Sequence, residues 1–212
     1  MIIALDGPAA AGKGTLAKRL AAELDFAYLD SGLLYRATAA AALAAKDEPS
    51  EADYIAAARA LTPADSAREG LRSNAVSTGA SKAAALPEVR AALLAYQQDF
   101  AARPPGGKRG AVLDGRDIGT VVCPQAEVKI FVDASAEVRA KRRCLELQER
   151  GEDAIYQRVL QDVQERDRRD RERAVAPLKP APDAVELDTS DLTPEEVFQQ
   201  AMDILRSRSN RD

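Results

Sequence analysis

The chain has 212 residues, 46% of them hydrophobic, with 34 acidic against 30 basic side chains, a formal net charge of −4 and no histidine. That length supports one substantial core with appendages, while the negative balance works against general nucleic-acid binding, because releasing counterions from a polyphosphate chain needs a basic surface. With only Cys123 and Cys144 as thiols and no histidine, neither a disulfide framework nor a Cys/His zinc site has enough ligands, and both cysteines are expected as small buried hydrophobes.

The chain opens on the apolar run MIIALD (1–6), with no basic leader and no run approaching a membrane span, so a cytoplasmic protein without a membrane anchor is expected. Directly after this strand come Gly7, then Pro8, Ala9, Ala10 and Ala11, then Gly12 and Lys13, with Gly14 and Thr15 opening a helix predicted over 15–24. A glycine-rich loop between a strand and a helix turns backbone N–H groups toward phosphate oxygens, the helix N-terminus adds partial positive charge, and the lysine supplies a full one. The residue after Lys13 is Gly14 rather than Ser or Thr, so the hydroxyl that commonly binds Mg²⁺ in such loops is displaced by one position. The cation is then expected to rely on the nucleotide, water and an acidic residue.

FAYLD (26–30) reads as the second strand, and Ser31 as the cap of a helix over 31–45 in which Tyr35 and Arg36 are either ordinary helix residues or ligand contacts. Helices are predicted over 51–61 and 87–102, separated from the third strand, AVLD (111–114), by the breaker-rich loop RPPGGKRG (103–110). That strand runs into DGRDIGTVV (114–122), where Arg116 and Asp117 project from a turn relaxed by Gly115 and Gly119. VKIFVD (128–133) is the fourth strand, followed by a helix over 135–150 started by Asp133 or Ser135 and another over 153–173. PLKPAP (177–182) interrupts helix, AVELD (184–188) is the fifth strand, and Thr193 before Pro194 starts a last helix over 194–207. Strands alternating with helices predict a three-layer α/β domain on a parallel sheet of about five strands, and runs ending on Asp put carboxylates at the sheet edge where ligands bind in such folds.

The run ERDRRDRERAVAPL (165–178) mixes both signs of charge, which is ordinarily the mark of a solvated helix face. Arg166, Asp170 and Arg173 nevertheless fall at i, i+4 and i+7, so a helix presents them on one face, while Asp167, Arg168, Arg171 and Glu172 point largely elsewhere. One face can offer a carboxylate to ribose hydroxyls and guanidinium forks to phosphate.

GPAAAGKGT is similar to the phosphate loop of nucleoside monophosphate kinases, and in combination DSGLLYR, DGRDIGTVV, KIFVDAS and RDRRDRERAVAPL resemble the bacterial cytidylate kinases over almost the whole chain. The resemblance implies a P-loop kinase with a core over 1–30, 106–140 and 160–212, a helical acceptor-binding excursion over about 31–105 and a short lid over about 140–160. It implies transfer of the γ-phosphoryl of ATP, with Mg²⁺, to CMP or dCMP, as a step of pyrimidine nucleotide metabolism. Lys13, Arg116 and Arg173 are the implied catalytic residues, and Gly7 to Thr15 with a lid arginine such as Arg142 the implied ATP contacts. Ser31, Tyr35, Arg36, Ser81, Arg90, Arg116, Asp117, Arg166, Asp170 and Arg173 are the implied CMP contacts, with Ser81, Arg90 and Asp117 at the cytosine-reading positions. A monomer is the expected state. The chain departs from the family in one respect: LTPADSAREG (61–70) is too short for the three-stranded insert usual before the segment LRSNAVSTGASK. A UMP/CMP kinase or another small-molecule kinase is the neighbouring alternative. A nucleotide-dependent switch or an RNA-binding P-loop protein is disfavoured by the missing N/T-K-x-D motif and by the net charge.

Overall fold

The computed structural model describes residues 1–209; positions 210–212, the end of the expected core segment, lie outside the described residues. Strands β1 (Ile2–Asp6), β2 (Ala27–Asp30), β3 (Ala111–Gly115), β4 (Val128–Asp133) and β5 (Val185–Asp188) form one sheet in the order β2-β3-β1-β4-β5, and every pairing is parallel. The three central strands are apolar and buried nearly throughout, as strands covered on both faces must be. The register sets Asp30 opposite Asp114, Asp133 opposite Asp188, and Asp6 opposite Gly115 and Phe131, so the acidic strand ends line one edge.

Side chains alternate across the sheet, and each set meets its own layer. Ile3, Leu5, Val112, Ile130 and Val132 pack against Leu16, Leu20, Phe198 and Leu205 of helices α1 (Lys13–Leu24) and α8 (Pro194–Ser209). Ala4, Leu29 and Leu113 pack the other way, against Ile118, Val122 and Ala101. Between β2 and β3 the chain runs through α2 (Ser31–Ala45), α3 (Glu51–Arg59), α4 (Asn74–Ala83) and α5 (Pro87–Ala102), which share a separate cluster around Leu34, Tyr54, Val89 and Leu93. Residues Pro63–Ala67 form a 3₁₀ turn in place of the missing insert. Helices α6 (Ala136–Glu149) and α7 (Tyr156–Glu172) pair through Ala140, Cys144, Leu147, Val159 and Val163, joined by residues 150–155. Among the described residues no helix is long and apolar enough to cross a membrane.

Helix α4 lies inside the excursion expected to be helical but was not among the helices given bounds. Its buried face is Gly79, Ala80 and Ala83, too small to mark an apolar period, yet that smallness lets it lie close on α2: a Cβ at Gly79 would come within 3.1 Å of Ala39 Cβ. A second correction concerns α2. Its cap is Asp30, whose carboxylate accepts from Leu33 N at 3.2 Å, while Ser31 lies inside the helix and its hydroxyl donates to the Asp114 carbonyl at 2.8 Å. The expected start at Ser135 is observed, the hydroxyl accepting from Val138 N, and so is Thr193, which accepts from Glu196 N.

Candidate active site

The loop from Gly7 to Gly12 connects the C-terminal end of β1 to the first turn of α1. Its path depends on backbone angles that side chains disfavour: Gly7 has φ 145 and Gly12 φ 91, and a Cβ at Gly7 would sit 1.9 Å from the Val132 carbonyl oxygen. Lys13 is 5% exposed, and its Nζ donates to the Pro8 carbonyl at 2.7 Å, folding the side chain back over the loop. Gly14 faces Asp114, whose Oδ2 would lie 3.4 Å from a Cβ placed there. A Cβ there would meet that carboxylate at ordinary van der Waals distance.

The loop after β3 is tied to β1 by Asp6, whose two oxygens accept from Ile118 N and Gly119 N at 2.7 Å each. Burial pushes this carboxyl up to about 6 although both amides oppose the shift. Asp114 is also raised by burial, with Lys13 acting against it. Tyr28 contributes a hydroxyl 3.5 Å from Asp114 Oδ2. Asp114 opens the DGRDIGTVV stretch, whereas Asp6 and Tyr28 belong to no motif singled out in the sequence and were marked only by their places in strands.

The structure links several of the other sequence-derived residues to one another. Arg116 Nε donates to Asp170 Oδ2 at 3.0 Å, joining the loop after β3 to α7. Arg166 lies on the same face of α7, and its Nε has no partner among the described residues. Burial first, then Arg116, Arg36 and Arg143, push the Arg166 guanidinium down to about 9, with Asp170 in opposition. Arg36 donates to the Leu71 carbonyl at 3.1 Å and to Ser77 Oγ at 2.6 Å, and burial, with Arg72, Arg143 and Arg116 nearby, lowers it to about 10. Deeper in, Asp117 pairs through one oxygen with Arg90 and through the other with Arg173 Nη2 at 3.4 Å. The Arg90 guanidinium lies 5.8 Å from the Tyr35 ring centre, and Ser81 Oγ is buried without a partner among the described residues.

Two expectations for the charged run are corrected. Arg173 terminates α7 with extended backbone rather than extending its face, and its Nε donates to the Ala176 carbonyl at 2.6 Å, so the turn toward Leu178 aims it at Asp117. Asp167 is not solvated: it is 7% exposed and takes both arms of Arg139, at 2.9 and 2.5 Å. Helix period alone could not separate Asp167 from its exposed neighbours, because its partner lies 28 residues away.

The arginines of α6 and the turn after it have distinct partners. Arg142, expected at ATP, donates to Thr189 Oγ1 at 2.9 Å and to its carbonyl at 2.6 Å. Arg143 and Arg150 both bind Glu146, and Arg72 from the loop before α4 lies 4.0 Å from the same carboxylate, linking the C-terminal half of α6 to the acceptor-side helices.

For a divalent cation, the residues at hand are Asp114 beside Gly14 and the exposed hydroxyl-bearing Thr15. No group of three or more acidic or sulfur ligands occurs among the described residues.

Lys13 carries a testable charge property. Burial first, then Arg116, lower its ammonium to about 7, with Asp114 and Asp6 opposing. Between about 7 and the ordinary 10.5 the folded chain binds fewer protons than the unfolded one, so this contribution to stability rises with pH across that window. A polyphosphate placed against the amine restores its charge. ATP binding at about pH 8 is therefore expected to take up a proton, read by calorimetry in buffers of different ionisation enthalpy, and Lys13→Met to abolish most of that uptake. Equal heats in all buffers for the unmodified chain would contradict it.

A family model described as cytidylate kinase matches residues 3–207. The cytidylate kinase of Paramagnetospirillum magneticum is 60% identical over 208 residues, covering 98% of this chain and 98% of that protein. The cytidylate kinase of Rhodospirillum rubrum is 57% identical over 212 residues, covering 100% of both. An uncharacterized protein from Eubacterium ventriosum of known structure matches with a TM-score of 0.53 at 13% identity, over 98% of this chain and 99% of that one, a likeness of fold alone.

Proposed function

The chain belongs to the cytidylate kinase family, and from that premise we propose that it moves the γ-phosphoryl of ATP onto the phosphate of CMP, giving ADP and CDP, with dCMP as a second acceptor. The observation that carries this reading is the crowding of Lys13, Arg36, Arg116 and Arg166 at one sheet edge: burial first and neighbouring cations second lower Lys13, Arg36 and Arg166 against the opposing carboxylates of Asp6, Asp30, Asp114 and Asp170, while Arg116, against its own burial, is raised by Asp170 and Asp114. Such an arrangement is costly unless a polyanion completes it.

In this reading the loop from Gly7 to Thr15 surrounds the donor phosphates and Lys13 neutralises charge on the transferred group. An acceptor phosphate oxygen forms the new bond to the γ-phosphorus as the bond to the β-bridging oxygen breaks, and positioning and fixed charge do most of the work. Arg36 and Arg116 hold the acceptor phosphate in line, with Arg166 between donor and acceptor. Arg173 supports the transition state from the end of α7. Asp170 orients Arg116 and receives ribose hydroxyls with Tyr35. Asp117, Arg90 and Ser81 read the base, Ser31 fixes the strand end beside them, and a lid arginine closes over the donor. Mg²⁺ fits beside Asp114 and Thr15 and supplies charge neutralisation when bound. The Ser81 hydroxyl, buried without a partner among the described residues, has a natural acceptor in a pyrimidine ring.

ADP release over CMP, dCMP, UMP, AMP and GMP tests the assignment, with CMP and dCMP expected to lead. Preference for AMP, or equal use of UMP, would replace it with another small-molecule kinase. Within the same reading, Asp170→Ala should raise the KM for CMP by about 10-fold with little change for ATP, since Asp170 orients Arg116, whereas the exposed Glu172→Ala should leave both within a factor of about 2. Equal small effects would return the run to a solvated surface.

A further inference from the structure

A phosphate-binding loop can turn its amides inward only if its carbonyls turn outward, and an outward carbonyl in a partly buried loop needs a donor. Three carbonyls here have one. Pro8 O accepts from Lys13 Nζ at 2.7 Å, Ala9 O faces Arg139 Nη1 at 3.4 Å, and Ala11 O accepts from Thr189 Oγ1 at 3.1 Å. Thr189 is in turn gripped by Arg142. Two arginines of α6 thus act on the loop, one directly and one through Thr189.

Arg139 is the better built of the two. It is 2% exposed, its Nε donates to the Ala134 carbonyl at 2.8 Å, and its fork closes on both oxygens of Asp167. A bidentate fork fixes the guanidinium plane, which a single contact would leave free to turn. Its remaining reach toward Ala9 O falls on the peptide that precedes Ala10. Ala10 has φ 61, a left-handed conformation costly for a residue with a Cβ, and one that persists only when the surroundings hold it. The anchored carbonyl and the strained residue share one peptide plane. Asp167, on α7, stands immediately after Arg166 and three residues before Asp170.

We propose that the Arg139–Asp167 pair is a positioning device for the donor phosphates: it holds the Ala9–Ala10 peptide so that the loop's amides stay aimed inward, and it sets that loop at a fixed distance from the face of α7 carrying Arg166 and Asp170. Both residues border the cavity between α6, α7 and β5, and in this proposal they act through the loop. The proposal rests on ATP as the donor held by the Gly7 to Thr15 loop, and ATP-dependent turnover of CMP by the unmodified chain tests that premise separately.

The test uses Arg139→Lys and Asp167→Asn in the full chain. Lysine keeps the charge but cannot span Asp167 and Ala9 O together; asparagine keeps the shape but weakens the fork. Amide hydrogen exchange over residues 7–12 should quicken by about 10-fold and the KM for ATP should rise by about 10-fold, with the KM for CMP within a factor of about 3, in line with the cost of loosening groups that orient a binding site. Adding Ala10→Gly to Arg139→Lys should recover part of the ATP affinity, because glycine adopts the left-handed angle without being held. If Asp167→Asn fails to fold, Arg139→Lys with and without Ala10→Gly decides the question. Unchanged loop exchange with unchanged KM for ATP, or equal rises in both KM values, would overturn the proposal even where thermal stability falls.

Discussion

Lys13→Ala should lower kcat by about 100-fold or more while leaving the KM for CMP within a factor of about 3, the scale expected for removing one preorganised charge aimed at a changing charge distribution. The amine sits at the centre of the cationic edge, folded onto the Pro8 carbonyl and close enough to Asp114, Asp6 and Arg116 for each to alter its proton affinity. A buried charge of that kind weakens the folded state more than it supports it, so Lys13→Ala should not lose activity by unfolding. Thermal denaturation at about pH 7 checks this, with the variant expected to melt no lower than the parent. A variant with near-parental kcat would remove Lys13 from the transfer step.

Asp117→Asn should shrink the preference for CMP over UMP from about 100-fold or more in kcat/KM to about 10-fold or less, chiefly by harming CMP. Cytosine presents an amino donor where uracil presents a carbonyl, and a carboxylate accepts from the first and repels the second. In the proposed reading Arg90 and Ser81 would offer donors to the ring acceptors of cytosine, which uracil's N3–H would oppose. Each buried mismatch costs about 1 to 3 kcal/mol, more where a charge is involved. Asp117 also neutralises both Arg90 and Arg173, so the substitution lowers absolute activity by loosening two ion pairs. The ratio between acceptors isolates base reading from that loss. An unchanged ratio would leave Asp117 as a partner of arginines and nothing more.

Much of the site was legible because its chemistry is local. A loop that needs left-handed angles at Gly7 and Gly12 and a lysine behind them must be written contiguously, and Arg166 and Asp170 share a face by helix period alone. What escaped was decided across long separations. The buried Asp167 looks like its exposed neighbours until Arg139 is placed beside it, and Arg142 looks like a free lid cation until Thr189 is found 47 residues away. Helix α4 was missed because its packing face is glycine and alanine, which carry no apolar signal and gain their value only from close approach to α2.

By itself, then, the order of residues determined the parallel α/β plan, the phosphate loop and the row of strand-end carboxylates, since each follows from period, turn chemistry or short-range spacing. Tertiary structure alone decided which charges are satisfied and which are left wanting a partner. Whether Arg166 Nε finds a partner among the described residues, whether Asp117 is shared by two arginines and whether the Ala9 carbonyl is anchored depend on groups brought together from distant parts of the chain. The physical reason is the short reach of the deciding forces: hydrogen bonds and desolvation act over a few ångströms, and sequence spacing states no distance beyond the element it is read in.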